Sequence, residues 1–483
     1  MSKYRSRSKG TKIINRAGGQ SFKQSTKLEL VSLFLTSFMS DKYYESETDQ
    51  IARLRELIQT LDDKKFIAKS LIYARNEFGM RSVTHVGVCE LCRVVKGEEW
   101  LKFAIEKIIH RADDPLEILG YWDNTYGDEP IPNALKKGLA LAIHKFDPYQ
   151  LSKYKGSRKN IKMVDLFNMV HPKPKTPEEF KIYRELMNGT LKPPETWEVE
   201  LTKAGQEAET EEEKLWLKSK AWKDLLSENK LGYFALLRNL RNILKQADSE
   251  TVQKAIETLV NEKLIKKSLV LPFRFGTAYD TISEEFPYRR DVLRAINKAM
   301  EISLANCPKL PGSTLVVLDT SGSMSGKPIE IGSLFAGVLV KTNDSDFISF
   351  SDEAKYFYIN SDDSLTTIRE NIKRTITGGG TNFHSIFQTA NKAYDRIIIL
   401  SDMQGWMGYD TPVGDFNKYK SSYNCDPFIY SFDLNGYGDM QFPENNPKVL
   451  CLAGFSDKIF KIMELVEKDR QALISAIEAI EVF

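Results

Sequence analysis

Histidine and cysteine are scarce in this 483-residue chain, five of each, and the scarcity removes several kinds of chemistry. The histidines (His85, His110, His144, His171 and His384) form no H-E-x-x-H zinc pair, and no G-x-S-x-G nucleophile elbow occurs. The cysteines (Cys89, Cys92, Cys307, Cys425 and Cys451) are odd in number and scattered, which argues against a disulfide framework and for reduced thiols. Cys89 and Cys92 are spaced like a metal or redox pair, yet no second Cys or His pair lies at ligand spacing, so they read as structural. No apolar run approaches the ~18–20 residues that span a bilayer. Low-complexity tracts are missing, and the first residues are polar and basic, without the apolar stretch of a secretory signal. The expectation is a cytoplasmic protein with no membrane partner.

What is present is a globular composition, 42% hydrophobic and 28% charged, in a chain too long for one ordinary core. Two domains are expected. The net charge of +2 hides an asymmetry: residues 1–308 carry 52 basic against 43 acidic side chains, and residues 309–483 carry 16 against 23. A basic half joined to an acidic half suits a polyanion for the first and a cation for the second, though many helical domains are mildly basic without such a partner.

Residues 1–25 read as a basic N-terminal arm, flexible at least as far as Lys12, because no acidic residue precedes Glu29 and small polar residues fill the gaps. A solvated tail without a role is the other reading. From 26 to 308 apolar residues recur at three and four, as in Ile51, Leu54, Leu57, Ile58 and Leu61, with short polar breaks between segments. That pattern predicts antiparallel helices stacked in pairs, each burying its stripe against the next. One interruption, from Lys192-Pro193-Pro194 to the acidic run Glu207–Glu213, reads as a surface excursion. At Cys307–Gly312 the signal changes. From 312 to 483 short β-branched runs (314–318, 347–350, 355–358, 396–400, 428–432 and 449–452) alternate with helices near 326–341, 365–375 and 383–394, closed by one from about 456 to 481. Such alternation predicts a mostly parallel sheet covered on both faces.

The first of those strands ends in Asp319-Thr320-Ser321-Gly322-Ser323, the loop Gly378–Asn382 offers Thr381, and the strand 396–400 ends in Ser401-Asp402. Together they supply hard oxygen ligands at the carboxyl edge of a central sheet, with no imidazole or thiolate, a set suited to Mg²⁺ rather than zinc. Any one of these loops alone could be an ordinary turn; three in this order make that reading weak. The nearby Gly322–Pro328 stretch is no phosphate-binding loop, since three residues instead of four separate its glycines and Pro328 stands where Ser or Thr is needed. The three segments resemble the metal-ion-dependent adhesion site (MIDAS) of von Willebrand factor A domains. The resemblance implies that Ser321, Ser323 and Thr381 ligate Mg²⁺ or another divalent cation directly. It also implies that Asp319 and Asp402 act directly or through water, leaving a position for a partner's carboxylate.

Before that domain, Asn15-Arg16-Ala17-Gly18-Gly19, Tyr43-Tyr44, Tyr73-Ala74-Arg75-Asn76, Asp165-Leu166-Phe167, His171-Pro172-Lys173-Pro174 and Leu236-Leu237-Arg238-Asn239-Leu240 occur in the order seen in the Ro (TROVE-domain) family of RNA-binding proteins. The chain resembles that family over essentially its whole length. The implied fold is a HEAT-like, ring-forming α helical-repeat domain (26–308) plus a Rossmann-like α/β von Willebrand factor A domain (312–483). Implied partners are small structured noncoding (Y-like) RNA on the outer surface and single-stranded ends of defective RNA in the central hole, with an exoribonuclease as a further partner of a monomeric ring.

The residues suit that task. Lys153, Lys155, Arg158, Lys159 and Lys162 cluster before a segment leading to His171 and Lys173, with Tyr149 and Tyr154 interleaved. Cations hold phosphates without reading sequence, and aromatics stack on unpaired bases. A solvated loop is the alternative for the cluster, and a helix-ending polar residue the alternative for His171. Arg75, Arg81, Arg238 and Arg241 read first as caps on neighbouring helix ends. Nothing pairs the acidic residues for acid–base work. The expectation is a non-catalytic ribonucleoprotein scaffold. A metal-dependent protein-interaction scaffold without RNA is the rival, and a hydrolase acting on RNA phosphates the more distant one.

Overall fold

A computed structural model describes residues 12–22, 26–36, 47–153, 161–192, 197–343, 345–435, 439–443, 446, 448–453, 460, 463, 467 and 472–483. Apolar stripes broken by capping residues turn the first half into serial helices: α1 Thr26–Thr36, α2 Glu47–Thr60, α3 Lys64–Phe78, α4 Ser82–Val94, α5 Trp100–Ile108, α6 Asp114–Tyr126, α7 Asn133–Ile143, α8 Pro148–Lys153, α9 Met163–Val170 and α10 Pro177–Met187. The punctuation is local. Asp63 accepts from the Phe66 amide at the head of α3, and Gly79, at φ 66°, closes its far end. Thr176 caps α10 in the same way as Asp63. Each helix buries one stripe against its second neighbour, α2 on α4, α3 on α5, α4 on α6 and α5 on α7, so one core runs from Leu30 to Leu191.

A second stack follows: α11 Trp197–Gln206, α12 Glu211–Ser227, α13 Tyr233–Gln246, α14 Ser249–Leu259, α15 Glu262–Ser268, α16 Pro272–Glu285 and α17 Arg290–Ser303. Its first two members correct the expected surface excursion. Thr210 caps α12 by accepting from the Glu213 amide, and the acidic run supplies the first turn, where the helix dipole favours carboxylates. The acidic run read as part of that interruption is a helix start.

The remaining chain forms a six-stranded sheet, order β5-β4-β3-β6-β7-β8, from β3 Thr314–Asp319, β4 Asp346–Phe350, β5 Ala354–Tyr356, β6 Arg396–Ser401, β7 Phe428–Asp433 and β8 Val449–Ala453. All neighbours pair parallel except the β4–β5 edge. The crossover helices are α18 Lys327–Asn343, α19 Leu365–Lys373, α20 Phe383–Thr389 and α21 Val413–Tyr423. Alternate residues of β3 and β6 serve opposite faces. Val316, Leu318, Ile398 and Leu400 join α18 and α19, while Leu315, Val317, Ile397 and Ile399 join α20 and α21. Of the expected closing helix, the described residues include α22, Ala472–Glu478.

The second stack continues its core directly into the sheet domain, α16 on α18 and α17 on α19. Arg369 of α19 grips Asp280 of α16 through Nη1 at 2.7 Å and Nη2 at 2.9 Å. At the other end α22 lies on α3, with Ile477 and Val482 buried in the first stack's core. Lys107 adds hydrogen bonds to the Glu481 and Phe483 carbonyls. Residues 12–22, part of the stretch expected as an arm, form a hairpin instead, β1 Lys12–Ile14 with β2 Gln20–Phe22. Buried Phe22 joins Met440 of the sheet domain by a bridge. Beyond the hairpin, Lys3, Arg5, Arg7 and Lys9 of the basic arm lie outside the described residues.

Candidate metal centre and nucleic-acid surfaces

Strands β3 and β6 lie side by side where the sheet order reverses, the crevice in which open α/β sheets bind ligands. Their apolar runs end together, leaving Asp319, Ser401 and Asp402 fully buried at one edge. Asp319 accepts from the Ser321 amide at 2.9 Å and from the Ser401 hydroxyl at 2.5 Å. Ser321 and Ser323 hydroxyls stand 3.3 Å apart. The Gly378–Asn382 loop is drawn in by the backbone: Gly378 N–H donates to Thr320 O at 3.1 Å and Gly322 N–H to Gly379 O at 3.3 Å. Thr381 is buried, and its carbonyl accepts from the Trp406 and Met407 amides at 3.3 Å each. The interlocked loops thus bring the expected residues Asp319, Ser321, Ser323, Thr381 and Asp402 to one edge of the sheet.

Charge makes this a strained pocket. Burial, with the nearby Asp402 charge, pushes the Asp319 carboxyl up to about 7. Burial also raises Asp402, partly offset by Ser323 and the Gln404 amide. Asp402 Oδ1 accepts from that amide at 3.1 Å, whereas Oδ2 is buried without a hydrogen-bond donor among the described residues. Two buried carboxylates, one of them with the orphaned oxygen, and the three hydroxyl-bearing residues Ser321, Ser323 and Thr381 fit a hard divalent cation and would suit a soft metal badly. The residues that sequence reading missed are Asp352, which takes the Gly380 amide at 2.7 Å, and Gln404. Neither belongs to a motif; both act through the loops. His85, Asp114 and Glu117 also converge. The Arg81 guanidinium lies on both carboxylates and Arg75 on Asp114, so that cluster is an ion-pair network already neutralised by protein cations.

On the helical side, Lys153 ends α8. Lys155, Arg158 and Lys159, with Tyr154, lie outside the described residues. Lys162 and His171 sit at the two ends of α9, a helix roughly 12 Å long. Asp165 takes the Lys162 amide, and His171 closes the helix in a left-handed conformation at φ 49°. Lys162, His171 and Lys173 are exposed. Tyr149 and Ser152 of α8, Lys181 and Glu185 of α10, and Lys192 line a groove of about 440 Å³. The helix-ending role of His171 and a role toward a ligand are therefore compatible.

Among the arginines read as caps, Arg75 does cap: its Nε donates to Ile108 O at 3.1 Å at the end of α5, and Nη2 meets Asp114 at 2.7 Å. Arg241 pairs with Glu285. Arg238 differs. It and Arg274 each lie 5.8 Å from the centroid of the half-exposed Phe234 ring. Phe234 and Arg274 face a cavity of about 720 Å³ where the α3–α4 turn, the α15–α16 turn and the sheet domain's α18 meet. Cys89 and Cys92 are buried in α4 and burial pushes both thiols up, in keeping with a structural role.

The TROVE domain family matches residues 187–290, and the Ro60 vWA domain family matches residues 313–465. The chain belongs to the TROVE-domain Ro family. Proteins of this family bind RNA. The solved Ro (RSR) protein of Deinococcus radiodurans shares the fold with a TM-score of 0.64 and 16% identity, covering 91% of this chain and 100% of that one. Telomerase protein component 1 from Rattus norvegicus is 21% identical over 345 residues, and that from Mus musculus 22% over 347. Those matches cover 54% of this Ro-family chain and 13% of each relative, so it spans a small part of their length. No described helix of this TROVE-domain chain is long and apolar enough to cross a membrane.

Proposed function

We propose that this Ro-family chain is a non-catalytic cytoplasmic scaffold that holds a small structured, Y-like noncoding RNA and receives the ends of misfolded RNA in RNA quality control. The observation that carries the reading is the exposure of Lys162, His171 and Lys173 at the ends of α9, two ammonium groups with an imidazole, on a chain of an RNA-binding family. Phosphates of a folded RNA need cations at intervals rather than base-reading pockets. The half-exposed Phe234 ring, with two guanidiniums nearby, supports a second surface, because an unpaired base stacks on an aromatic while its phosphate meets arginine. An exoribonuclease taking RNA from that cavity belongs to the same proposal. Sequencing the RNA that co-purifies with wild type and with the Lys162/His171/Lys173 triple alanine variant tests it. One abundant small structured RNA, depleted in the variant, is expected; no enriched RNA with folded wild type overturns the reading.

The orphaned Asp402 oxygen favours a second activity in the same molecule. Ser321, Ser323 and Thr381, with Asp319 and Asp402, would hold Mg²⁺, which supplies an electrophilic docking point for a partner's carboxylate. A protein-interaction scaffold using this site alone, without RNA, is what remains if the sequencing finds none.

A further inference from the structure

The Asn15–Gly19 turn joins β1 to β2 and has no part in either proposed RNA surface. It is built against the loop that follows Asp402. Asn15 is buried; its Nδ2 donates to Gly405 O at 2.6 Å, while its Oδ1 takes the Ala17 amide at 3.1 Å and the Gly19 amide at 2.9 Å. The Arg16 amide donates to Gln404 Oε1 at 3.0 Å. Gln404 in turn donates its amide to Asp402 Oδ1 and its side chain to Asp439 Oδ2 at 2.7 Å. Gly19 lies so close that a Cβ there would sit 2.0 Å from Gly405 O and 2.4 Å from Trp406 Cα, so no other residue fits without moving the loop.

That loop needs holding. Met403, next to Asp402, is buried with φ 58°, a conformation that costs a side-chain-bearing residue energy and persists only where neighbours enforce it. The same loop supplies the Trp406 and Met407 amides that clasp the Thr381 carbonyl.

We infer that the Asn15–Gly19 turn is a positioning element of the metal site, fixing Asp402 through Gln404 and Thr381 through Trp406 so that their oxygens converge on one cation. The inference rests on the proposed metal site. Groups that orient metal ligands without touching the metal change affinity by about 10- to 100-fold when lost.

The test measures Mn²⁺ binding to the full chain by the electron paramagnetic resonance of free Mn²⁺, with Asp402→Ala as the ligand control. Gly19→Ala and Asn15→Ala are expected to weaken Mn²⁺ by about tenfold or more. Lys12→Ala, which cuts the hairpin's outer ion pair to Asp410, is expected to bind as wild type. Hydrogen exchange is expected to rise in residues 403–407 of both turn variants while the first helical stack stays protected. If wild type binds no Mn²⁺ that Asp402→Ala abolishes, the metal site itself is wrong and the inference falls with it. If wild type binds and both turn variants bind equally well, the site stands and the positioning role is overturned. An equal loss in Lys12→Ala assigns the effect to the hairpin as a whole and also overturns the role of the turn.

Discussion

Asp114 shows how much a single buried group does here. It is fully buried at the head of α6, where it takes Arg75 at 2.7 Å, Arg81 at 2.7 Å and the His110 and Arg111 amides at 3.0 Å. Burial works against its charge, but His85, Arg75 and those amides outweigh it, and its carboxyl lies far below the ordinary 3.8. A carboxyl depressed on folding adds stability that is fully present above its unfolded value and lost as pH falls through the folded one. Asp113 and Glu90 are lowered as well, so the signs add. The expected outcome is a first stack that loses stability progressively as pH drops below about 4, read by tryptophan fluorescence from buried Trp100 and Trp122 during urea unfolding. Asp114→Ala should cost about 3–5 kcal/mol at neutral pH, because it strands guanidinium charge in the core. A variant that unfolds at the wild-type urea concentration would show the network to be neutral.

At the scale of elements, the chain's last helix belongs energetically to its first ones. Ile477 of α22 is fully buried in the core of the first stack, and Ile477→Ala should cost about 2–5 kcal/mol there. Hydrogen exchange is expected to quicken in α3 and α5 while β3 and β6 keep their protection; the reverse pattern would place α22 with the sheet. Periodicity made most helices and strands legible, and the D-x-S-x-S loop with Thr381 and Ser401-Asp402 announced the edge where the three loops meet. What the sequence hid is long-range. α21 buries only Phe416 and Tyr419, too little for a visible stripe. The hairpin at 12–22 reads as a basic arm because its anchors, Asn15 and Phe22, are spaced for a surface built from Gly405 and Met440, far along the chain. Gln404 carries no motif, since its function is to link a turn to a carboxylate. Three of the seven residues expected to meet RNA, Lys155, Arg158 and Lys159, fall outside the described residues, so the structure speaks only for Lys153, Lys162, His171 and Lys173.

In the whole molecule the two domains meet at more than one seam. The second stack abuts α18 and α19, while the hairpin and α22 carry contacts between the start of the chain and its end. Fragments 1–308 and 312–483, co-expressed as separate chains, are therefore expected to co-purify as a one-to-one complex through gel filtration. Independent elution would mean that the covalent junction, not the seams, holds the domains together. Large apolar seams of that kind make the helical part a poor candidate for a freely swinging module.

The long-range docking of residues 12–22 and 472–483 also governs how the molecule is made. During synthesis the helical part leaves the ribosome before the sheet domain, yet its first stack lacks Ile477 and Val482, and β1–β2 lacks its dock at Met440, until those residues emerge. The metal edge is likewise left without its clasp until the Asn15–Gly19 turn has met the Gln404–Gly405 loop. The first stack thus closes only once residues 472–483 are made, and a chain that stops short of them would expose a ragged apolar seam instead of a working receptor.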